Sequence, residues 1–384
     1  MKIFVIGGDG FCGWPTSLEL SNSNHEVHII DNLSRRKIDY DLNTNSLTPI
    51  SSINKRIQTW FNLTKKHIIF HNVNIQEDFF DLRDLFVKNK PDVVVHFGEQ
   101  RAAPYSMIGY KEAYYTAKNN ILGTMNILEC IKECNPNCHL VHLGTMGVYG
   151  YGVINTTIPD GYLQVEIDTK NGKEKKDIIF PPNPGSIYHL TKTVDHQFFQ
   201  FYKKNYQLKI TDLHQGIVWG TNTDLTLLHE DLVNRFDYDG HYGTVLNRFL
   251  VQGYINHPLT VYGSGGQTRA FIHISDTARC IKLAIDHDTK KTDPVRIFNQ
   301  ISECYSVNQL AELVSKITGT NVQYIDNPRK ELAENNLEVS NEGLSSLGFK
   351  PILLDESLFK EIEESISKYS DRIDINTIMP TARW

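Results

Sequence analysis

Short runs of apolar residues alternate with stretches of helical periodicity along the first part of the chain. Lys2 to Ile6 is a β-branched apolar run typical of a buried strand, and a glycine-rich turn follows it. Apolar residues then recur at helical spacing from Phe11 to Leu20, and Glu26 to Ile30 again has the pattern of a strand. The opening of the chain therefore predicts a strand, a helix and a second strand in succession.

The same alternation continues further along and predicts a parallel sheet. We expect strands at 68–73, 92–97, 139–144 and 209–214, with helices at 79–88, 110–134 and from Tyr188 onwards. Strands that alternate with helices pair in parallel, because each helix crosses back over the sheet before the next strand begins. The predicted fold class is α/β, with a doubly wound parallel sheet.

Changes in this rhythm suggest how the domains are divided. Two stretches, 35–66 and 151–184, interrupt the alternation and are interpreted as insertions on the sheet. From Trp219 to Arg269 the chain is polar and aromatic and lacks long periodic segments, as expected of loops that carry function. We therefore predict a sheet domain over 1–218 and a smaller substrate-covering lobe over 219–384, with segments that return to the sheet domain.

Composition and charge exclude several classes of function. The 384 residues include 39 Lys and Arg against 45 Asp and Glu, a net charge of −6 without a polybasic block. No nucleic-acid partner is expected, because such proteins neutralise rows of phosphates with clustered cations. No apolar run approaches the roughly 18 residues of a membrane span, so we expect no membrane partner and a cytoplasmic location. The six cysteines lack paired spacing, which favours reduced thiols and no metal.

Glycines and one carboxylate form the signature of a dinucleotide site. Gly7, Gly10 and Gly13 stand between the first strand and the first helix, where the backbone must turn sharply and approach a pyrophosphate. Asp31 ends the second strand 18 residues after Gly13. This is close to the spacing of about 20 for a carboxylate that binds the ribose hydroxyls. The combination predicts a dinucleotide cofactor.

Two arginines after the second strand bear on which dinucleotide is bound. Arg35 and Arg36 could pair with a 2′-phosphate, which would favour NADP. Asp31 would repel that phosphate, so NAD is the cofactor that we expect.

A tyrosine and a lysine at helical spacing form a candidate catalytic pair. Tyr188 and Lys192 are four residues apart near the start of a predicted helix, so their side chains share one face. An ammonium group lowers the pKa of a nearby tyrosine, which favours a phenolate that removes a hydroxyl proton while hydride leaves the same carbon. Thr145, at the end of the fifth predicted strand, 139–144, is the expected hydrogen-bond partner.

These residues, in this order, resemble the extended short-chain dehydrogenase/reductase family, whose members modify nucleotide sugars with a Thr/Ser, Tyr and Lys triad on a Rossmann fold. Further runs resemble one branch of it, the UDP-sulfoquinovose synthase family. They occur at 95–101, 104–107, 143–150, 229–235, 237–239, 243–244, 246–249, 258–263, 266–269, 298–300, 327–329 and 378–380.

The resemblance implies a reaction, a cofactor and a set of ligands. In that family UDP-glucose and sulfite give UDP-sulfoquinovose with tightly held NAD, and a homodimer through helices 110–134 and 188–206 is expected. The implied cofactor-binding residues are Gly7, Gly10, Phe11, Cys12, Gly13, Asp31, Asn32, Arg35, Arg36, Asn74, Ile75, Phe97, Gly98, Glu99, Arg101, Asn119, Tyr188 and Lys192. The implied substrate-binding residues are Arg101, Thr145, Tyr188, Gln215, Asn247, Arg269 and Arg329.

The two positions after the catalytic threonine depart from related dehydratases. Nucleotide-sugar 4,6-dehydratases carry an Asp-Glu pair there, whereas this chain has Met146 and Gly147. A site open to an anionic nucleophile should avoid carboxylates, because they repel it. His189, beside Tyr188, is the candidate for acid/base work or for contact with sulfite.

Other functions remain open on the sequence alone. The alternatives within the superfamily are a UDP-sugar 4-epimerase and a 4,6-dehydratase, although Met146 and Gly147 disfavour the dehydratase. An alternative of another class is a non-catalytic NAD-sensing regulator, but Tyr188 and Lys192 are both present. Sulfite could arrive free or from a sulfite-donating partner protein.

Overall fold

The computed structural model describes residues 1–150, 156–287, 289–335 and 337–384, and within these ranges strands and helices alternate. The strands are β1 (Lys2–Ile6), β2 (Glu26–Ile30), β3 (Ile68–His71), β4 (Val93–His96), β5 (His139–Thr145), β6 (Tyr162–Thr169), β7 (Gly172–Ile179), β8 (Lys209–Gln215), β9 (Ile217–Trp219), β10 (Leu259–Tyr262), β11 (Gly266–His273), β12 (Arg296–Gln300), β13 (Glu303–Ser306), β14 (Val322–Ile325) and β15 (Glu334–Asn335).

The α-helices follow the same chain order. They are α1 (Gly13–Asn22), α2 (Ser34–Asp41), α3 (Ile53–Thr64), α4 (Phe79–Asn89), α5 (Ala103–Ser106), α6 (Tyr110–Ala117), α7 (Gly123–Cys134), α8 (Ile187–Tyr206), α9 (Val245–Tyr254), α10 (Ile274–Asp286), α11 (Val307–Thr318), α12 (Glu342–Ser346) and α13 (Glu356–Lys368). A π-helical turn, Lys118–Leu122, joins α6 to α7, and a 3-10 turn, Met146–Tyr149, follows β5.

Seven parallel strands form the central sheet, in the order β12, β8, β5, β4, β1, β2 and β3. The chain builds outwards from β1 to β3 and then continues on the other side of β1 with β4. At such a reversal the loops after the two central strands diverge and leave a crevice at their carboxyl ends. The predicted α/β class with a doubly wound parallel sheet is confirmed.

Apolar side chains fill both faces of the central sheet, because successive residues of a strand point to opposite sides. On one face Ile3 of β1 belongs to the same buried cluster as Trp14 of α1. On the other face Phe4 packs edge-on against Phe86 of α4, with the ring centres 5.2 Å apart. The two layers of helices hold the carboxyl edge of the sheet, and hence the crevice, in a fixed geometry.

The later part of the chain forms a second packed region around a separate apolar cluster. Strands β9, β11, β13 and β15 pair there, β10 pairs with β14, and Trp219, Phe249 and Phe271 lie in the cluster. The expectation that 219–269 lacks regular segments is wrong for α9. Residues 246–253 of this helix are all buried, including the polar Asn247, Arg248 and Gln252, so a segment whose polar residues suggested a surface loop lies inside this region.

Three other segments differ from the expected pattern or extend it. The stretch 35–66 contains α3 and most of α2, and 151–184 contains the antiparallel hairpin β6–β7, although 151–155 lie outside the described residues. Strand β12 pairs with β8 in the central sheet, so a late segment joins the early ones.

The domain boundary at residue 218 stays a prediction. Within the described ranges, no helix has the length and hydrophobicity that a bilayer crossing requires.

Candidate active site

A cavity of about 360 Å³ opens at the carboxyl edge of the central sheet, and residues of the second region close its other side. The predicted site residues that line it are Gly7, Gly10, Phe11, Cys12, Gly13, Asp31, Asn32, Arg35, Ile75, Phe97, Gly98, Glu99, Arg101, Asn119, Thr145, Tyr188, His189, Lys192, Gln215, Arg269 and Arg329. Arg36, Asn74 and Asn247 do not line it. The cavity therefore brings together most of the residues predicted for cofactor, catalysis and sugar nucleotide.

The turn between β1 and α1 requires glycine for two separate reasons. Gly7 has a φ of +79°, and a Cβ there would lie 2.7 Å from the backbone nitrogen of Gly98. A Cβ on Gly13 would lie 2.1 Å from the carbonyl oxygen of Gly7. The backbone is thus pressed together so that the N-terminus of α1 faces the cavity, which is a favourable place for a phosphate. This cradle fits the pyrophosphate of a dinucleotide.

Asp31 is held at the end of β2 by two backbone hydrogen bonds. Its Oδ2 accepts from the Asp9 nitrogen at 3.0 Å, and its Oδ1 accepts from the Leu33 nitrogen at 2.7 Å. Burial, together with the charge of Asp9, raises the pKa of Asp31 to about 6, although these two hydrogen bonds oppose the rise. A buried carboxylate in this position fits the ribose hydroxyls of NAD.

Arg36 is committed to a partner within the protein. Its Nε lies 2.6 Å from Asp9 Oδ2, and its Nη2 donates to Asp9 Oδ1 at 2.9 Å. Arg35 lines the cavity, with its guanidinium carbon 3.6 Å from the centre of the Tyr242 ring. Arg36 itself does not line the cavity, so its guanidinium is used by Asp9 and is not directed at a 2′-phosphate, although its charge opposes the burial that raises the pKa of the nearby Asp31.

The pKa of Asp31 leads to a prediction for cofactor binding. We expect the affinity of NAD-free protein for NAD to decrease as the pH falls through about 6, because the ionised carboxylate accepts from both ribose hydroxyls and the protonated form does not. Calorimetric titrations between about pH 8 and pH 5 would measure this. The control is Asp31→Asn, which cannot titrate and should bind NAD with a flatter profile. An equally steep profile in that variant would assign the pH dependence to another group.

The remaining predicted cofactor residues differ in where their side chains are directed. Asn119 lies in the π-helical turn, and its Nδ2 donates to Asn120 Oδ1 at 3.0 Å. A π-turn inside a helix often marks a functional position. Asn74 instead donates from Nδ2 to Glu77 at 3.2 Å and lies outside the cavity lining.

The predicted triad is assembled in the cavity from β5 and α8. Ser186 caps α8, since its hydroxyl accepts from the His189 nitrogen at 3.2 Å, and this fixes the first turn that carries Tyr188. The Tyr188 side chain is hydrogen-bonded with Thr145. One turn further on, Lys192 Nζ donates to the Leu143 carbonyl at 2.7 Å.

The net pKa shift of Tyr188 is opposite to the direction expected from Lys192 alone. Burial raises the pKa of Tyr188 to about 12, whereas Lys192 and the hydrogen bond with Thr145 lower it. Exclusion of water from the phenol therefore outweighs the ammonium charge. The raised pKa favours the protonated phenol.

His189 occupies the space above Gly147. A Cβ on Gly147 would lie 2.3 Å from His189 Nε2, so no larger residue fits beneath the ring without displacing it. Burial lowers the pKa of His189 to about 3, and the charges of Arg329 and Arg269 add to the effect. Its Nδ1 is buried without a hydrogen-bond partner among the described residues. The lowered pKa favours a neutral imidazole, and its Nδ1 is not used in a hydrogen bond within the described part of the chain.

Arginines form the wall of the cavity opposite the glycine turn. Arg269 Nη1 donates to the Thr268 carbonyl at 2.9 Å, and its Nη2 pairs with Glu331. The guanidinium carbon of Arg329 lies 5.1 Å from the centre of the Trp384 ring. Both arginines line the cavity, and a guanidinium group offers the planar donors that suit a diphosphate.

Sequence reasoning missed a third arginine of this wall. Arg248 lines the cavity and donates to the Tyr262 hydroxyl at 2.7 Å, whereas the neighbouring Asn247 donates to the Asp237 carbonyl at 3.2 Å. The quoted run 246–249 contained both residues. Because α9 is buried all round, its sequence does not reveal which of the two side chains faces the cavity.

The geometry defines a class of protein: a glycine cradle with a strand-end carboxylate beside a Thr, Tyr and Lys group in one cavity. A family model described as the NAD dependent epimerase/dehydratase family matches residues 3–299. The crystal structure of UDP-glucose 4-epimerase with UDP-glucose from Thermotoga maritima has the same fold, with a TM-score of 0.70, 21% identity and coverage of 97% of this chain and 100% of that one. The chain belongs to this family, and its cofactor is NAD.

Two full-length relatives identify the branch. The chain is 47% identical over 388 residues to chloroplastic UDP-sulfoquinovose synthase of Spinacia oleracea. This alignment covers 100% of this chain and 79% of the relative. It is 37% identical over 396 residues to UDP-sulfoquinovose synthase of Sulfolobus acidocaldarius, covering 100% and 98%. Within the NAD-dependent family, the chain therefore belongs to the UDP-sulfoquinovose synthases, as the sequence resemblance predicted.

Proposed function

We propose that the protein converts UDP-glucose and sulfite to UDP-sulfoquinovose and regenerates its bound NAD in each turnover. The observation that carries the proposal is the pairing of an intact Thr145, Tyr188 and Lys192 group with a buried neutral His189 above Gly147. The triad supports oxidation at a sugar carbon, and the imidazole supports proton transfer without adding negative charge near an incoming anion.

The first step uses the triad. The glycine cradle and Asp31 would hold NAD, which when bound would supply a reversible hydride acceptor for the sugar C4. The oxygen of Tyr188 accepts the O4 proton, Thr145 shares the hydrogen bond to O4, and Lys192 stabilises the phenolate by its charge. Because burial raises the pKa of Tyr188 to about 12, the phenol must release its own proton to water before it accepts the proton of O4, and the Lys192 charge and the Thr145 hydrogen bond, which lower this pKa, favour that release.

The middle steps need a second acid/base group. A C4 ketone acidifies C5–H, and loss of this proton together with the C6 hydroxyl gives a 4-keto-5,6-ene and water. We assign the C5 proton transfer to His189 Nδ1, which is buried and unpartnered among the described residues. Addition of the sulfite sulfur at C6 and return of a proton to C5 complete the carbon–sulfur bond.

The arginines of the opposite wall hold the nucleotide in this proposal. Arg269 and Arg329 bind the diphosphate, Arg248 extends the same wall, and Gln215 contacts the sugar from the end of β8. Gln215 is fixed for this role because its Nε2 donates to Thr277 at 2.8 Å. UDP binding thereby places C4 near Tyr188 on the floor of the cavity.

A homodimer is part of the proposal. Large apolar side chains are exposed on the helices expected to form the interface: Tyr110 and Tyr114 on α6, and Leu190 and Phe201 on α8. Exposed aromatic groups of this kind are enriched where subunits meet. A sulfite-donating partner protein and a cytoplasmic location remain predictions.

Product analysis tests the proposed reaction. Purified protein is incubated with UDP-glucose, with and without sulfite, and the products are identified by mass spectrometry. We expect UDP-sulfoquinovose only with sulfite, and no net consumption of added NAD. A 4-epimerase would give UDP-galactose in both arms, and a 4,6-dehydratase would give a 4-keto-6-deoxy sugar; either result would replace the proposal.

A further inference from the structure

The Glu99 carboxylate lies directly under the catalytic lysine rather than free beside the cofactor. Its Oε2 is 2.7 Å from Lys192 Nζ, and its Oε1 is 2.9 Å from His142 Nε2. The side chains of Glu99, Lys192 and His142 are 1%, 4% and 0% exposed. One carboxylate therefore bridges two buried nitrogen groups that themselves lie 3.0 Å apart.

A chain of hydrogen bonds fixes this bridge to the central sheet. His142 Nδ1 lies 2.8 Å from Asp212 Oδ1, and Asp212 Oδ2 lies 2.9 Å from His214 Nε2. His214 Nδ1 is in turn 2.6 Å from the Tyr149 hydroxyl. His142 and Asp212 are paired directly across β5 and β8, so the strand register itself holds them together.

Gly144 makes room for this chain. It lies opposite His214 in the register, and a Cβ there would be 2.5 Å from Asp212 Oδ1 and 2.7 Å from His214 Cδ2. Alanine at this position would therefore collide with two members of the chain. The sequence of β5 is matched to the polar groups that pack beside it.

The surroundings of His142 favour an imidazolium, because a carboxylate oxygen faces each ring nitrogen: Asp212 Oδ1 lies 2.8 Å from Nδ1 and Glu99 Oε1 lies 2.9 Å from Nε2. Burial and Lys192 oppose its protonation, but Asp212 and Glu99 raise the pKa of His142 to about 9. Lys192 and His142 then carry two positive charges against two negative charges on Glu99 and Asp212. Because both ring nitrogens of an imidazolium are donors, each carboxylate receives one hydrogen bond from His142.

The other titratable groups that face His142 do not disturb this balance. Burial lowers the pKa of His96 on β4 to about 3 and that of His196 on α8 to about 4, so both rings are neutral. Burial raises the pKa of Asp195 well above its usual range, and its Oδ2 is 3.7 Å from His142 Nε2. The raised pKa of Tyr188 favours the protonated phenol.

We propose that Glu99 is a positioning residue, whose carboxylate is the shared counter-ion that holds the Lys192 ammonium and the His142 imidazolium together beneath Tyr188. In this role Glu99 acts through Lys192 and not by binding NAD. The anchored bridge keeps the ammonium charge at one place under Tyr188 while the sugar is oxidised and reduced.

Removal of the Glu99 charge has a specific consequence. In Glu99→Gln two cations 3.0 Å apart would share only Asp212, which is an unfavourable arrangement in a buried site. Loss of the His142 proton relieves it, because the neutral ring can accept from Lys192 Nζ and still donate to Asp212. The variant should therefore convert His142 from an imidazolium to a neutral imidazole.

Histidine ring NMR tests this on holoenzyme labelled with nitrogen-15. The His142 signals are identified by their absence in His142→Gln. We expect an imidazolium at pH 7 in the wild type, and a His142 titration midpoint that falls by about two pH units or more in Glu99→Gln. Glu99→Asp, which keeps the charge, should retain the imidazolium. The control Glu133→Gln removes an exposed carboxylate paired with Arg83 and should leave His142 unchanged.

Kinetics provide a second readout. We expect kcat of Glu99→Gln to fall about tenfold or more while KM for UDP-glucose changes by about twofold or less, since the arginine wall is untouched. A neutral His142 in wild-type protein at pH 7, or an unchanged midpoint in Glu99→Gln, would overturn the proposal. If Glu99→Gln does not fold, the wild-type titration alone decides. The NMR result does not depend on which sugar is turned over, so it can fail independently of the proposed function.

Discussion

Replacement of Tyr188 by phenylalanine is expected to abolish most turnover without weakening substrate binding. The change deletes the oxygen that accepts the O4 proton but keeps the ring, the diphosphate contacts of the arginine wall and the glycine cradle. Loss of a general base costs about 10² to 10⁴ in rate, so kcat should fall within that range. Single-turnover formation of product measures the rate, and calorimetry measures binding of UDP-glucose to the NAD-loaded variant.

A matched variant separates the reaction from the fold. Tyr206→Phe makes the same chemical change at the C-terminal end of the same helix, where the side chain is 42% exposed, and should leave kcat near the wild-type value. Turnover by Tyr188→Phe within about threefold of the wild type would require another base for O4.

The architecture of the sheet domain was readable from the sequence because parallel strands are buried on both faces. Each such strand is a continuous apolar run, and the predicted strands at 92–97 and 139–144 coincide with β4 and β5 to within a residue or two. The segments between these strands have the 3.6-residue hydrophobic period of amphipathic helices, which allowed the helices to be predicted as well. The sequence did not predict α9, whose polar residues Asn247, Arg248 and Gln252 are buried, or the π-turn 118–122, which no local pattern marks.

The site residues also fall into two groups: those that local sequence spacing predicts, and those whose partners are distant in the sequence. The glycine cradle and the Tyr188–Lys192 pair follow from spacing within one turn or one helix. Partners that are distant in sequence could not be predicted. Arg36 pairs with Asp9, and Glu99 pairs with Lys192 and His142. The orientation of these side chains depends on which strands are neighbours in the sheet, and sequence spacing does not reveal that order.

The structure also changes the explanation for the absence of the dehydratase carboxylates. The sequence suggested electrostatic openness toward sulfite at Met146 and Gly147. Gly147 has an additional reason to lack a side chain, because the His189 ring lies where its Cβ would be. A side chain at position 147 and His189 at its present position are sterically incompatible, and under the proposed mechanism His189 takes the place of a dehydratase carboxylate.

Alanine at position 147 is therefore expected to suppress sulfonate formation although it adds no charge. Its Cβ would lie 2.3 Å from His189 Nε2, so the ring must leave its present position, and the proposed proton transfer by Nδ1 should be lost with it. The yield of UDP-sulfoquinovose at each sulfite concentration should fall by about 10² or more, as for loss of an acid/base group. Oxidation at C4 depends on Tyr188 and should persist, which absorbance of reduced cofactor during a single turnover would detect.

Three further variants distinguish steric from electrostatic causes. His189→Ala should match Gly147→Ala, and the double variant should be no worse than either single one, because both changes remove the same interaction. Met146→Asp adds a carboxylate without filling the space under His189. If electrostatic openness alone explains the absent carboxylates, Met146→Asp depresses the sulfite curve and Gly147→Ala leaves it at the wild-type level. That outcome would remove His189 from the C5 proton transfer, since its ring could then move without loss of the reaction.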